Sequence, residues 1–140
     1  MKKIHRERLL KLADHLEKGK LGHKKFDFSQ WNGNASRELA PLNTCGTNGC
    51  AIGECPIVFP RLWKFGDYYP ELRRGHQGFP RKDAMPFFGV SHEESHVLFI
   101  PRGDLEDGTR VGPLRQMSAR ATRYRVAKQI RRFVAWKDKQ

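Results

Sequence analysis

Three stretches of this chain carry side chains of the kind that do chemistry. The first, His92-Glu93-Glu94-Ser95-His96, spells H-E-x-x-H. In that motif two imidazoles one helical turn apart hold zinc, and the glutamate beside the first acts as base. Zinc hydrolysis needs a third ligand. No histidine follows His96, so the ligand would have to be a carboxylate such as Glu106 or Asp107. The same stretch also spells a capping box, with Ser91 followed three residues on by Glu94. Glu93 and Glu94 would then complement the positive end of a helix dipole. The capping reading is preferred, and His92 and His96 stay as secondary metal candidates in a chain expected to need no cofactor.

The second stretch runs from Asn43 to Cys55 and holds all three cysteines, Cys45, Cys50 and Cys55. A thiol at a helix N-terminus has its thiolate stabilised by the dipole, which makes Cys45 the candidate nucleophile of a cysteine hydrolase. None of the histidines is singled out as its base. Residues five apart on a helix point about 140° apart, so the three thiols do not converge on a metal. The simpler reading makes Cys45 and Cys50 small apolar packing residues beside Gly46, Gly49 and Gly53.

The third stretch, residues 61–82, interleaves cations with aromatic rings. Arg61, Trp63, Lys64, Tyr68, Arg73, Arg74, Arg81 and Lys82 lie on it, and Arg131 and Arg132 add charge near the C-terminus. Lysine and arginine neutralise phosphates, and aromatic faces stack on exposed bases. The ten residues are therefore the candidate binding surface. No helix-turn-helix, RNA-recognition or zinc-finger pattern accompanies them.

The elements that must position these residues read as a mainly α, single-domain protein spanning 1–140, with long irregular loops. Ile4, Leu9, Leu12, Ala13 and Leu16 recur at helical spacing, which predicts a helix over about 4–18 closed by Gly19. Phe26 and Phe28 alternate as a short extended segment. A small-residue helix is expected over about 45–54, stopped by Pro56. Residues 83–89 read as a helical turn closed by Gly89. A capped helix follows over 92–99, stopped by Pro101. Residues 101–118 read as a polar loop. A last helix over about 119–136 carries Val126, Ala127, Ile130, Phe133 and Val134 as its apolar stripe. Trp31, Phe28, Phe88, Phe99, Ile130 and Phe133 are the expected core, and 61–82 the long basic, aromatic loop.

Composition narrows the partners. The formal net charge is +12, and the charged share of 30% is high beside a hydrophobic share of 38%. A balance this basic points to a polyanion: nucleic acid, an acidic protein or an anionic surface. No apolar run reaches the roughly 18 residues of a membrane span, and the N-terminus lacks the apolar core of a secretory signal. Three clustered cysteines are unlike a secreted disulfide framework, so the expectation is a reducing cytosol and no membrane partner.

The pieces also carry a resemblance. Phe26-Asp27 and Trp31 follow the opening helix. Cys45-Gly46-Thr47-x-x-Cys50-Ala51-x-Gly53 comes next, then Phe87-Phe88-Gly89-Val90-Ser91-x-Glu93-Glu94 and Leu98-Phe99. Val126-Ala127-x-x-Ile130-Arg131-x-Phe133 lies in the closing helix. In this order they resemble a widespread family of small bacteriophage and prophage proteins. Stretches 61–82 and 101–118 are longer than usual for that family, and Val90 stands where leucine is common. The family has no established activity, so the resemblance implies a phage-encoded origin and the host cytosol, and no chemistry. The expectation is a non-enzymatic phage-type accessory protein that binds nucleic acid or a nucleoprotein. The alternatives are an inhibitor of an acidic host protein, such as a defence component, and a cysteine or zinc hydrolase.

Overall fold

The computed structural model describes residues 1–29, 48–66, 69–103 and 108–140. Among them are five helices: α1 (Lys3–Lys18), α2 (Cys55–Val58), α3 (Pro80–Phe88), α4 (His92–Phe99) and α5 (Arg123–Lys137). The strands are short and paired. They are β1 (Lys25–Phe26), β2 (Asn48–Gly49), β3 (Trp63–Phe65), β4 (Pro70–Leu72), β5 (Arg110–Val111) and β6 (Leu114–Arg115).

α1 and α5 form the principal helix pair. Leu9, Leu12, Ala13 and Leu16 of α1 are buried, as are Val126, Ala127, Ile130, Phe133 and Val134 of α5. Both faces follow the 3.6-residue period of the sequence. Ile4 departs from it and is exposed, because only the later turns of α1 lie over the core. Arg123 ties the pair together. Its guanidinium donates to the carbonyls of Leu16 (2.6 Å), His15 (3.3 Å) and Gly19 (2.5 Å), satisfying acceptors that the end of α1 leaves open. α5 starts at Arg123 rather than near 119, because the Thr122 hydroxyl caps it by accepting from the Arg125 amide.

The helix expected over 45–54 does not form. Residues 45–47 lie outside the described residues, and 48–49 form β2, parallel to β1. Helical backbone begins as a 3-10 turn at Ile52–Glu54 and continues into α2. Pro56 opens α2 instead of ending the preceding turn, since a proline's missing N–H is harmless in a helix's first turn. The turn is anchored by a buried carboxylate. Glu54 accepts from His15 Nε2 (2.8 Å), His23 Nδ1 (2.6 Å) and the Gly22 amide (2.7 Å).

Residues 61–82 are not one irregular loop. β3 and β4 pair antiparallel, with Trp63 opposite Leu72 and Phe65 opposite Pro70, and α3 begins at Pro80. α3 ends at Gly89, whose φ of +63° suits glycine; a Cβ there would lie 2.0 Å from His5 Nδ1. α4 carries the expected capping box. The Ser91 hydroxyl accepts from the Glu94 amide at 3.2 Å, and the Glu94 carboxylate accepts from the Ser91 amide at 2.9 Å. The polar stretch after Pro101 contains a second hairpin, β5–β6. Gln116 pins it by accepting from the Thr109 amide and donating to Ile100 O and Pro101 O.

Phe28, Phe88, Phe99, Ile130 and Phe133 are all in the core, and Trp31 lies outside the described residues. No helix among the described residues is long and apolar enough to cross a membrane.

Candidate functional site

The turn that leaves α2 borders a recess among the described residues. Leu62 N and Trp63 N both donate to Phe59 O, which folds the chain back into β3. Trp63 is fully buried against Phe87 at 5.5 Å, so it anchors the hairpin while its neighbours Arg61 and Leu62 stay exposed. Arg73 N donates to Leu62 O and extends the β3–β4 ladder by one step. This puts Arg73 and Arg74 beside Arg61. From the other side, α1 supplies Arg8 and α3 supplies Pro86 and Phe87. Together with Leu62 and Leu72 they line a recess of about 610 Å³ that holds four arginines and, among the described residues, no carboxylate.

Backbone oxygens, not acids, hold two of these arginines. Arg73 Nε donates to Pro60 O at 3.0 Å. Arg8 Nη1 donates to Phe87 O at 3.0 Å, and its guanidinium sits 4.0 Å above the Phe87 ring. Burial lowers the Arg8 pKa, yet arginine stays charged at any ordinary pH. Its Nε is buried without a hydrogen-bond partner among the described residues. Arg61 and Arg74 make no hydrogen bond or ion pair with the described residues. The described residues therefore do not neutralise the charge at this mouth.

The nearby acids are drawn elsewhere. Asp83 is buried and accepts from Leu72 N (2.9 Å), Gln77 N (2.6 Å) and His76 Nδ1 (2.6 Å). The other His76 nitrogen lies 3.2 Å from Glu71, which also pairs with Lys64 at 3.3 Å. These contacts fix the segment between β4 and α3 that carries Arg73 and Arg74.

Compared with protein-family models, curated proteins and solved structures, the chain matches none.

The expected binding residues divide. Arg61, Arg73 and Arg74 converge on the recess. Lys64 is paired with Glu71, and Tyr68 lies outside the described residues. Trp63 is corrected from a stacking residue to a core residue, because strand pairing turns its ring inward. Arg81 leaves the cluster to donate to His96 Nε2 at 2.7 Å, whereas Lys82 is exposed. Arg132 is exposed too, but Arg131 is committed to Asp14 and Glu17 of α1. Sequence reasoning missed Arg8 and the apolar floor of Leu62, Leu72, Pro86 and Phe87. No local signal joins Arg8 to a ring 79 residues away.

Of the catalytic and metal candidates, His92 and His96 lie among the described residues. The His92 and His96 rings lie 4.6 Å apart. An arginine can only donate, so the Arg81 contact occupies the Nε2 lone pair of His96. Burial first, and then the Arg81 charge, holds the His96 pKa below its usual value. Among the described residues no three His, Cys, Asp or Glu side chains converge as metal ligands; Glu106 and Asp107 are not among them. Cys45 also lies outside the described residues. Cys50 and Cys55 are buried, and burial pushes the Cys50 thiol up to about 12 and Cys55 well above its usual range. Burial thus disfavours the thiolate, the reactive form, at both positions.

Proposed function

We propose that the protein is a non-enzymatic accessory protein that binds nucleic acid, alone or in a nucleoprotein, through the arginine face around Arg61, Arg73 and Arg74. One observation carries this reading: four guanidiniums border a single recess, with no carboxylate in its lining among the described residues. Like charges gathered without counter-charges cost folding energy, and a polyanionic partner offsets that cost on binding. Phosphates suit arginine because its planar fork donates two parallel hydrogen bonds. The net charge of +12 favours the same partner through long-range attraction.

The test is binding to labelled single- and double-stranded DNA and RNA across a salt series. Affinity is expected to fall with salt, with a log–log slope of about −0.7 to −0.9 per phosphate contacted. Absence of binding to every strand at low salt overturns the reading and turns attention to an acidic protein partner.

A further inference from the structure

The recess has a floor as well as a charged rim. We infer that it seats one unpaired nucleotide, with the phosphate at Arg61, Arg73 and Arg74 and the base against Leu62, Leu72 and Pro86. This rests on the nucleic-acid reading and narrows it to unpaired residues: single strands, ends or extruded bases.

Three observations point this way. A ligand that met only phosphate would need no apolar floor, yet the lining joins four arginines to Leu62, Leu72, Pro86 and Phe87. Such an amphipathic lining suits a ligand with a flat, weakly polar body and a compact anionic group, which describes a nucleotide. The volume, about 610 Å³, lies within the roughly 300–1,000 Å³ of sites that enclose small ligands. A duplex presents its backbone and base edges but keeps the base faces stacked inside, so it cannot lay a base against an apolar lining. Arg8 supplies the third observation. Its guanidinium already lies over the Phe87 ring, and stacking of this sort on arginine planes is one way proteins hold splayed bases.

The experiment compares a labelled single-stranded 12-mer with an abasic strand of equal charge, a blunt duplex and a competing nucleoside monophosphate. Wild-type protein is expected to prefer the normal strand over the abasic strand and the duplex by about tenfold, the effect of seating one base. The monophosphate should compete. Leu62→Ser removes part of the floor at an exposed position and should abolish the preference while leaving abasic-strand binding intact. Arg74→Glu should weaken both strands. Melting temperatures of both variants, expected to match wild type, exclude unfolding. Equal, salt-dependent binding of normal and abasic strands would overturn the nucleotide site and leave the parent reading standing. Failure of every strand with saturable monophosphate binding, weakened by Leu62→Ser, would overturn the parent reading and assign the recess to a free nucleotide. Failure of all four ligands overturns both.

Discussion

His15 Nε2 donates to the Glu54 carboxylate across 2.8 Å and 39 residues of chain, joining the last turn of α1 to the turn that precedes α2. His23 and the Gly22 amide reach the same carboxylate, so a fully buried charge keeps its hydrogen-bond partners. Burial alone would raise the Glu54 carboxyl. The hydrogen bonds from His15, His23 and the Gly22 amide outweigh it and hold the group down at about 2.

This knot has a pH signature. A carboxyl whose folded pKa is depressed contributes stability that is fully present above its unfolded pKa and lost as pH falls through the folded value. For Glu54 the loss runs from pH 4.5 to about 2. The contribution at neutral pH is on the order of 3 kcal/mol. Glu54→Gln keeps the shape and removes the charge. It should lower stability by roughly 2–4 kcal/mol at pH 7 and flatten the acid limb of stability against pH. Urea melts of both proteins from pH 2 to 7 measure this; identical acid limbs would show that Glu54 is not the group responsible.

How much of this was legible in the sequence depends on the range of the signal. The Ser91–Glu94 box is complete within four residues, and the apolar stripes of α1 and α5 repeat every turn, so these elements could be read directly. Pro56 was ambiguous, because proline can end one helical segment or open the next, and only tertiary packing decides. The β3–β4 pairing is three residues long, too short for alternation to stand out, and so Trp63 looked like a free aromatic among cations. At the recess, Arg61, Arg73 and Arg74 are legible in the cationic run 61–74. Arg8, Pro86 and Phe87 come from α1 and α3, which no spacing rule connects to that run.

Arg123 closes the end of α1 through three carbonyls. Arg123→Met retains the stem and removes every donor. It should cost about 1–3 kcal/mol, the range for buried acceptors left unmet. Arg123→Lys should recover only part of this, because an ammonium lacks the planar fork. Chemical denaturation gives both numbers. Full rescue by lysine would mean that charge near the helix end matters and fork geometry does not.

The buried thiols should be silent in the native protein. Iodoacetamide at pH 8 is expected to leave Cys50 and Cys55 unmodified until denaturant is added, since burial keeps both protonated. Cys50→Ser should destabilise by about 1–3 kcal/mol, through a hydroxyl placed where the thiol is 1% exposed. Peptide mapping after native labelling would refute this if Cys50 or Cys55 were alkylated at the rate of a free thiol.

His92→Ala and His96→Ala should leave the melting temperature within about 2 °C of wild type, because α4 is held by its capping box and its buried Val97, Leu98 and Phe99. Elemental analysis of wild type should find no stoichiometric zinc. Zinc at one equivalent, lost in both variants, would restore the metal reading.

Arg74 and Arg131 carry the same charge and should behave in opposite ways. Arg131 bridges α5 to Asp14 and Glu17 of α1, and the hydrogen bonds it donates to Glu17 and then Asp14 raise its pKa, so its charge is already spent inside the fold. Arg74 has no partner among the described residues. Arg131→Ala is therefore expected to lower the melting temperature by about 2–4 °C, a modest loss because the pair is partly exposed and screened. It should leave the salt slope of nucleic-acid binding unchanged. Arg74→Ala should leave the melting temperature alone and flatten the slope by about one contact, 0.7 for a single strand and 0.9 for a duplex. A net-charge effect spread over the whole surface predicts equal changes in affinity for the two variants, so binding isotherms at four salt concentrations separate a localised arginine site from a diffuse field. Equal slopes for both variants would remove the recess from the binding mechanism.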